Sequence, residues 1–282
     1  MALFLRCEEM FDLPFDGDDE TESRNGKKQK RITRWFSWFA YILVGFTFKI
    51  AFRYSIKNKE NVTKFKGRRG CIIVANHESY LDAAFMFLSL RPHLCPRIIA
   101  KENLFKGKSA VQRQILTRAG AFPVSRNSAD RTSLKRAVKM LKRKEMVFIM
   151  PEGTRRGKGS EKLSLHSGFA FIAKMAKDAP IIPCAFRNVG KIKQKGKMIR
   201  FPKVEVEFGD PILLSDFDCL EKRDRLPACS WYCMREVFAM RDKIKSDEVD
   251  MASLFPDDED YSELLESIKI KKHTTDELLN AN

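Results

Sequence analysis

Five short apolar runs constrain this chain more than any other feature. They are CIIVA at 71–75, RIIA at 97–100, AFPV at 121–124, MVFIM at 146–150 and IIPCAF at 181–186. Each is four to six residues long, too short for a buried helix and right for a strand covered on both faces. The stretches between them have helical spacing. Leu134, Ala137, Val138 and Leu141 line one side of a segment opened by Asp130, with Lys and Arg on the other side. Residues 169–176 and 229–245 read as further helices. VEVEF at 204–208 alternates apolar and acidic residues, the mark of a strand with one wet face. Strands alternating with helices predict an α/β fold, a mostly parallel or mixed sheet flanked by helices.

Charge is distributed unevenly. Residues 1–24 carry eight acids and two bases, and residues 247–282 carry eleven acids and three bases. Residues 25–246 hold 48 bases and 18 acids, a net of +30. A body that basic calls for an anionic partner: nucleic acid, an anionic membrane surface or a phosphorylated substrate. Nucleic acid is disfavoured, because the aromatics cluster in one apolar stretch and no zinc-finger or RNP-like spacing occurs. A mean hydropathy of −0.36 excludes a polytopic membrane protein.

The apolar stretch is WFSWFAYILVGFTF, residues 35–48, preceded by Lys27, Lys28, Lys30, Arg31 and Arg34. As a helix it is about 21 Å long, short of the ~30 Å hydrocarbon core. Basic residues, then tryptophans, then a short apolar helix predict an interfacial or half-inserted membrane anchor. The domain reading is therefore an acidic flexible arm (1–26), a membrane-anchoring helical segment (27–56), an α/β domain (57–246) and an acidic tail (247–282), disordered or loosely docked. Seven scattered cysteines, with no Cys-x-x-Cys pair and an acidic start in place of a basic leader, predict reduced thiols on the cytoplasmic side. Cys229 and Cys233 stand one helical turn apart with no nearby His, so core packing is expected and no metal site.

Strand ends carry the chemistry. Asn76-His77-Glu78-Ser79-Tyr80-Leu81-Asp82 follows the first strand. Ser79 and Asp82 resemble a capping box, which starts a helix there and runs it to about Leu90. On an unbroken helix His77 and Asp82 would point roughly 140° apart. The break at the cap lets the carboxylate reach back to the imidazole and fix its tautomer, giving a general base. Met150-Pro151-Glu152-Gly153-Thr154-Arg155-Arg156 and Gly120-Ala121-Phe122-Pro123-Val124-Ser125-Arg126 place further Arg and Glu at strand ends. Arg is suited to bidentate contact with phosphate.

NHESYLD, GAFPVSR, MPEGTRR and IIPCAF resemble, in order and spacing, the four blocks of the glycerolipid acyltransferases, and among them the 1-acyl-sn-glycerol-3-phosphate acyltransferase family. The resemblance spans roughly residues 60–215 and includes FGDPI at 208–212. It implies that His77, in the His-x4-Asp motif, is the catalytic base and that Asp82 orients it. It implies that Arg126, Glu152, Gly153, Thr154 and Arg155 bind the acceptor phosphate and shape the site. It also implies a lysophospholipid acceptor, an acyl-CoA or acyl-carrier-protein donor, and no cofactor or metal; the alternative acceptors are glycerol-3-phosphate and a lyso-aminolipid. One departure is His166, where the family often has Lys; it reads as a surface residue, the alternative being that Lys162 supplies the missing cation. Without a Gly-x-Ser-x-Gly elbow or a Cys beside His77, direct attack on the thioester is expected rather than an acyl-enzyme.

Overall fold

The structure is a computed structural model. It describes residues 6–15, 31–32, 35–90, 94–106, 109–124, 131–156, 163–192 and 198–280. Seven strands form one sheet: β1 (Ser55–Lys57), β2 (Cys71–Ala75), β3 (Arg97–Lys101), β4 (Ala121–Val124), β5 (Met146–Ile149), β6 (Ile181–Arg187) and β7 (Glu205–Phe208). The helices are α1 (Cys7–Met10), α2 (Trp35–Phe52), α3 (Glu60–Thr63), α4 (Leu81–Leu90), α5 (Ala110–Arg118), α6 (Arg131–Lys142), α7 (Gly168–Met175), α8 (Arg225–Asp242), α9 (Met251–Leu254), α10 (Ser262–Glu266) and α11 (Thr275–Asn280).

Strand order is β1-β7-β6-β2-β5-β3-β4. Only the β6–β7 pairing is antiparallel. The five apolar runs form the contiguous parallel block from β6 to β4. At its centre every residue of β2 is buried, as a strand covered on both faces requires. The alternating run became β7, with Val206 and Phe208 buried. Its other face is not simply wet. Glu205 and Glu207 pair with the Arg187 guanidinium, Glu207 at 2.8 Å. The edge strand β1 and helix α5 have no counterpart in the sequence reading. SIK is too short to show a period, and α5 is polar on most sides.

Helices α6, α7 and α8 pack on one another and on β5, β2 and β6. Helix α2 packs through Phe48 and Phe52 on Phe85 of α4, with ring centroids 5.2 and 5.5 Å apart. No helix among the described residues is long and apolar enough to cross a membrane.

Both acidic termini depart from the sequence reading. Residues 6–15 are not a flexible arm. Met10 and Phe15 are buried, and Arg97 donates to the carbonyls of Phe11 and Leu13 at 2.7 and 3.2 Å. Asp12 takes a bidentate bond from Arg136, which holds its carboxyl below the usual range. The rest of that predicted arm, 16–26, lies outside the described residues. The segment from 247 is neither disordered nor loosely attached, because its apolar residues are core residues. Met251, Phe255, Tyr261, Leu265 and Leu278 are buried, His273 bonds Asp216 at 2.9 Å, and Asp258 accepts from Ser164 Oγ and the Leu165 N–H. Asp12 pairs with Arg136 and Asp276 with Lys64, so ion pairs as well as burial dock the described parts of both ends.

Candidate active site

The site forms where β2 and β5 end. These strands are parallel neighbours, with Val74 opposite Ile149. Three residues beyond that pair stand His77 and Glu152, and the register carries on through the His77 backbone and the Glu152 side chain. The His77 N–H donates to Glu152 Oε1 at 2.9 Å, and the Arg156 N–H donates to the His77 carbonyl at 2.9 Å. On the opposite side β6 does the same. Asn76 Oδ1 accepts from the Phe186 N–H at 2.8 Å, while its Nδ2 donates to the Phe186 carbonyl at 3.0 Å. His77 is thus fixed at the carboxyl end of a central strand, where open α/β sheets bind ligands.

Helix α4 starts just beyond, and its cap sets the chemistry. The Ser79 hydroxyl accepts from the Leu81 N–H at 3.2 Å. Asp82, buried in the first turn, reaches back. Its Oδ2 receives the N–H groups of Glu78 and Ser79 at 2.8 and 2.9 Å, and lies 2.8 Å from His77 Nδ1. Three donors on one oxygen leave the carboxylate little freedom. The His77 side chain keeps 15% of its surface exposed. With Nδ1 on the carboxylate, Nε2 is the nitrogen left for a reacting proton.

Beneath the imidazole lies a second layer of buried charge. Glu152 is sealed, and burial pushes its carboxyl up to about 7, against the pull of the nearby Arg156 and the His77 N–H. Arg156 Nε stands 2.6 Å from Glu152 Oε2. Its guanidinium is also held between the rings of Phe238 and Phe255, at 4.6 and 4.9 Å. Glu78, raised above the usual carboxylate value by burial, accepts from the Gly190 N–H at 3.0 Å. A Cβ at Gly190 would come within 2.7 Å of Glu78 Oε2, so a side chain there would displace that carboxylate.

The sequence placed Glu152 among the substrate-binding residues. It is buried, with Oε1 accepting from the His77 N–H and Oε2 facing Arg156. Gly153 makes the turn possible, with φ +61 in the left-handed region. The Thr154 N–H donates to the Glu152 carbonyl. The Arg155 guanidinium lies 3.7 Å from the centroid of the exposed Tyr80 ring, beside the His77 loop. Arg126 lies outside the described residues, as does Lys162. The strand that leads to Arg126, β4, is three positions from β2 in the sheet, roughly 14 Å away at strand spacing. His166 is exposed, and its N–H donates to the Pro151 carbonyl. Arg156 and Asn76 were missed as site residues. Arg156 stood beside Arg155 with nothing in the sequence to say which would turn inward.

Similarity to known proteins follows the same map. A protein-family model described as Acyltransferase matches residues 53–187. A Bacillus subtilis protein named 1-acyl-sn-glycerol-3-phosphate acyltransferase is 29% identical over 189 residues, 67% of this chain and 88% of that one. A Streptococcus pneumoniae protein of the same name is 31% identical over 146 residues, about half (51%) of each chain. Among solved structures, the 1-acyl-sn-glycerophosphate acyltransferase PlsC of Thermotoga maritima superposes with a TM-score of 0.53 at 22% identity, over 72% of this chain and 80% of that one, and shares its fold. The residues that match the acyltransferase family model hold β2, the His77–Asp82 pair, the Glu152–Arg156 loop and β6, so the similarity falls on the site itself.

Proposed function

We propose that this acyltransferase moves an acyl group from a thioester, acyl-CoA or acyl-carrier protein, to the free hydroxyl of 1-acyl-sn-glycerol-3-phosphate, giving phosphatidic acid for phospholipid synthesis. The observation that carries the reading is the His77–Asp82 pair, held at the end of β2 with Nε2 left to react. The names of the relatives favour this acceptor. His77 Nε2 takes the hydroxyl proton as the oxygen attacks the thioester carbonyl carbon. Asp82 keeps the ring in one tautomer and offsets the positive charge it gains. The tetrahedral oxyanion collapses, the C–S bond breaks, and the imidazolium returns its proton to the departing thiolate. Every proton and electron pair is accounted for by base, hydroxyl and thioester, with no cofactor. Arg155 and Arg126 are the cations assigned to the acceptor phosphate, with Gly153 and Thr154 shaping the turn that carries Arg155.

A long-chain acceptor resides in a bilayer, so the domain has to meet one. The face of α2 turned from α4 exposes Trp38, Phe39, Ile42, Leu43, Phe46 and Ile50, with Phe46 70% exposed. We assign this face to the cytoplasmic surface of an anionic membrane, lying in the interface rather than across it.

Detergent-purified protein offered lysophosphatidic acid or glycerol-3-phosphate, each with acyl-CoA or acyl-carrier protein, tests the reading. Lysophosphatidic acid is the expected acceptor, and His77→Ala should lower turnover at least ~10²-fold while the protein stays folded. Near wild-type turnover in that variant would remove the mechanism. A preference for glycerol-3-phosphate would change the acceptor.

A further inference from the structure

We propose that residues 198–201, in the connection between β6 and β7, form a second apolar prong that docks with α2 on an anionic lipid bilayer. The inference rests on the membrane part of the proposed function and extends it to a segment that no sequence pattern singled out.

Connections between strands are ordinarily polar at their tips. This one presents Met198, Ile199 and Phe201 to solvent, with Met198 88% and Ile199 59% exposed. They are held in that position. The Arg200 N–H donates to the Ile192 carbonyl at 2.8 Å and Asn188 Nδ2 donates to the Lys203 carbonyl at 3.0 Å. The end of α2 is tied to the same place. Arg53 Nη2 donates to the Phe201 carbonyl at 3.1 Å, and the Phe52 and Phe201 rings lie 5.7 Å apart. The exposed segment 198–201 is thus tied through Phe201 to Phe52 and Arg53, at the carboxyl end of α2.

Charge identifies the occupant. Residues 31–59 and 179–204 contain no Asp or Glu. Lys49, Arg53, Lys191, Arg200 and Lys203 are exposed around the apolar side chains. Apolar tips whose own segments carry bases and no acids match a surface whose phosphates lie above an acyl layer. The methylene stems follow the apolar groups inward while the charged heads stay at phosphate depth. Two prongs also do what one helix cannot. A helix alone leaves the domain free to turn about its axis, whereas a second contact at its end fixes which way the His77 site faces.

Sedimentation of the full chain with vesicles of phosphatidylcholine, with and without phosphatidylglycerol, tests this. Met198→Ser/Ile199→Ser should weaken partition on the order of tenfold on both compositions. Arg200→Gln/Lys203→Gln should weaken it only where phosphatidylglycerol is present. Ile42→Ser/Phe46→Ser on α2 serves as comparator. The melting temperature should not move, and Met198→Ser alone repeats the test if the double variant is destabilised. If the α2 variant releases and the 198/199 variant binds like wild type, the second prong is refuted and the membrane reading stands. If wild type ignores both vesicles, the two fall together. If Met198→Ser/Ile199→Ser instead abolishes a dimer seen in solution, the surface belongs to a second copy and the proposal fails.

Discussion

Two regions of this protein reverse the usual partition of polar and apolar groups. Around His77, the charged side chains of Asp82 and Glu152 are withdrawn from water. Along α2, a row of large apolar side chains is left in it. The first reversal is resolved within the chain. Asp82 has three donors, Glu152 has the His77 N–H and Arg156, and Arg156 is held between two rings. The second has no resolution within the described chain. Buried charges with partners make a site that is organised before substrate arrives. Exposed apolar surface without partners calls for something outside the molecule.

The sharpest way to break the first half is at Asp82. Asp82→Asn keeps the shape and leaves two backbone donors with an amide oxygen, but removes the charge that orients the imidazole. Turnover should fall by roughly 10²–10⁴-fold with little change in the acceptor KM. Steady-state kinetics on a variant with a native circular dichroism spectrum decide it.

Glu152 comes next. Its pKa in the fold is about 7, raised from 4.5. A carboxyl raised on folding contributes stability that is fully present below about 4.5 and is lost as pH rises through 7. Urea unfolding of wild type and Glu152→Gln across pH 4.5 to 8 should show wild type losing ground to the variant by up to about 3 kcal/mol. A pH-independent difference between them would refute the raised value.

The second half of the comparison is sharpened by salt. Deleting residues 1–56 would not isolate the anchor, because Met10, Phe15, Phe52 and Tyr54 are core residues and β1 pairs with β7. Substitutions on the exposed face avoid that problem. Wild type should remain on anionic vesicles at 1 M salt, while Ile42→Ser/Phe46→Ser should bind at least ~10-fold more weakly and release in salt. The smallest effect is expected at Arg155. Arg155→Ala should raise the acceptor KM by about tenfold and leave the donor KM unchanged. If only the donor responds, Arg155 belongs to the other substrate.

Much of this was readable without coordinates, for a local reason. β2 and the start of α4 are neighbours in sequence, so the strand end, the Ser79 cap and the reach of Asp82 to His77 are all set within seven residues. Arg155 and Arg156 show the limit of such reading. They share a side-chain type and a turn, and differ only in what waits across the fold: Tyr80 for one, Glu152 with Phe238 and Phe255 for the other.

The sequence by itself determined the five apolar strands, the cap that joins His77 to Asp82, and the uncharged run 35–48 that makes up most of α2. Each is a property of residues within one or two turns of each other. The tertiary structure alone decided that β5 lies beside β2, so that Glu152 meets the His77 N–H. It also decided that β1 and β7 close the sheet against its main direction, and that the acidic ends are docked rather than loose. These depend on which distant segments become neighbours. Strand order and burial set that choice, and an acidic, weakly periodic stretch such as 247–280 carries no local sign of the rings and arginines it will meet.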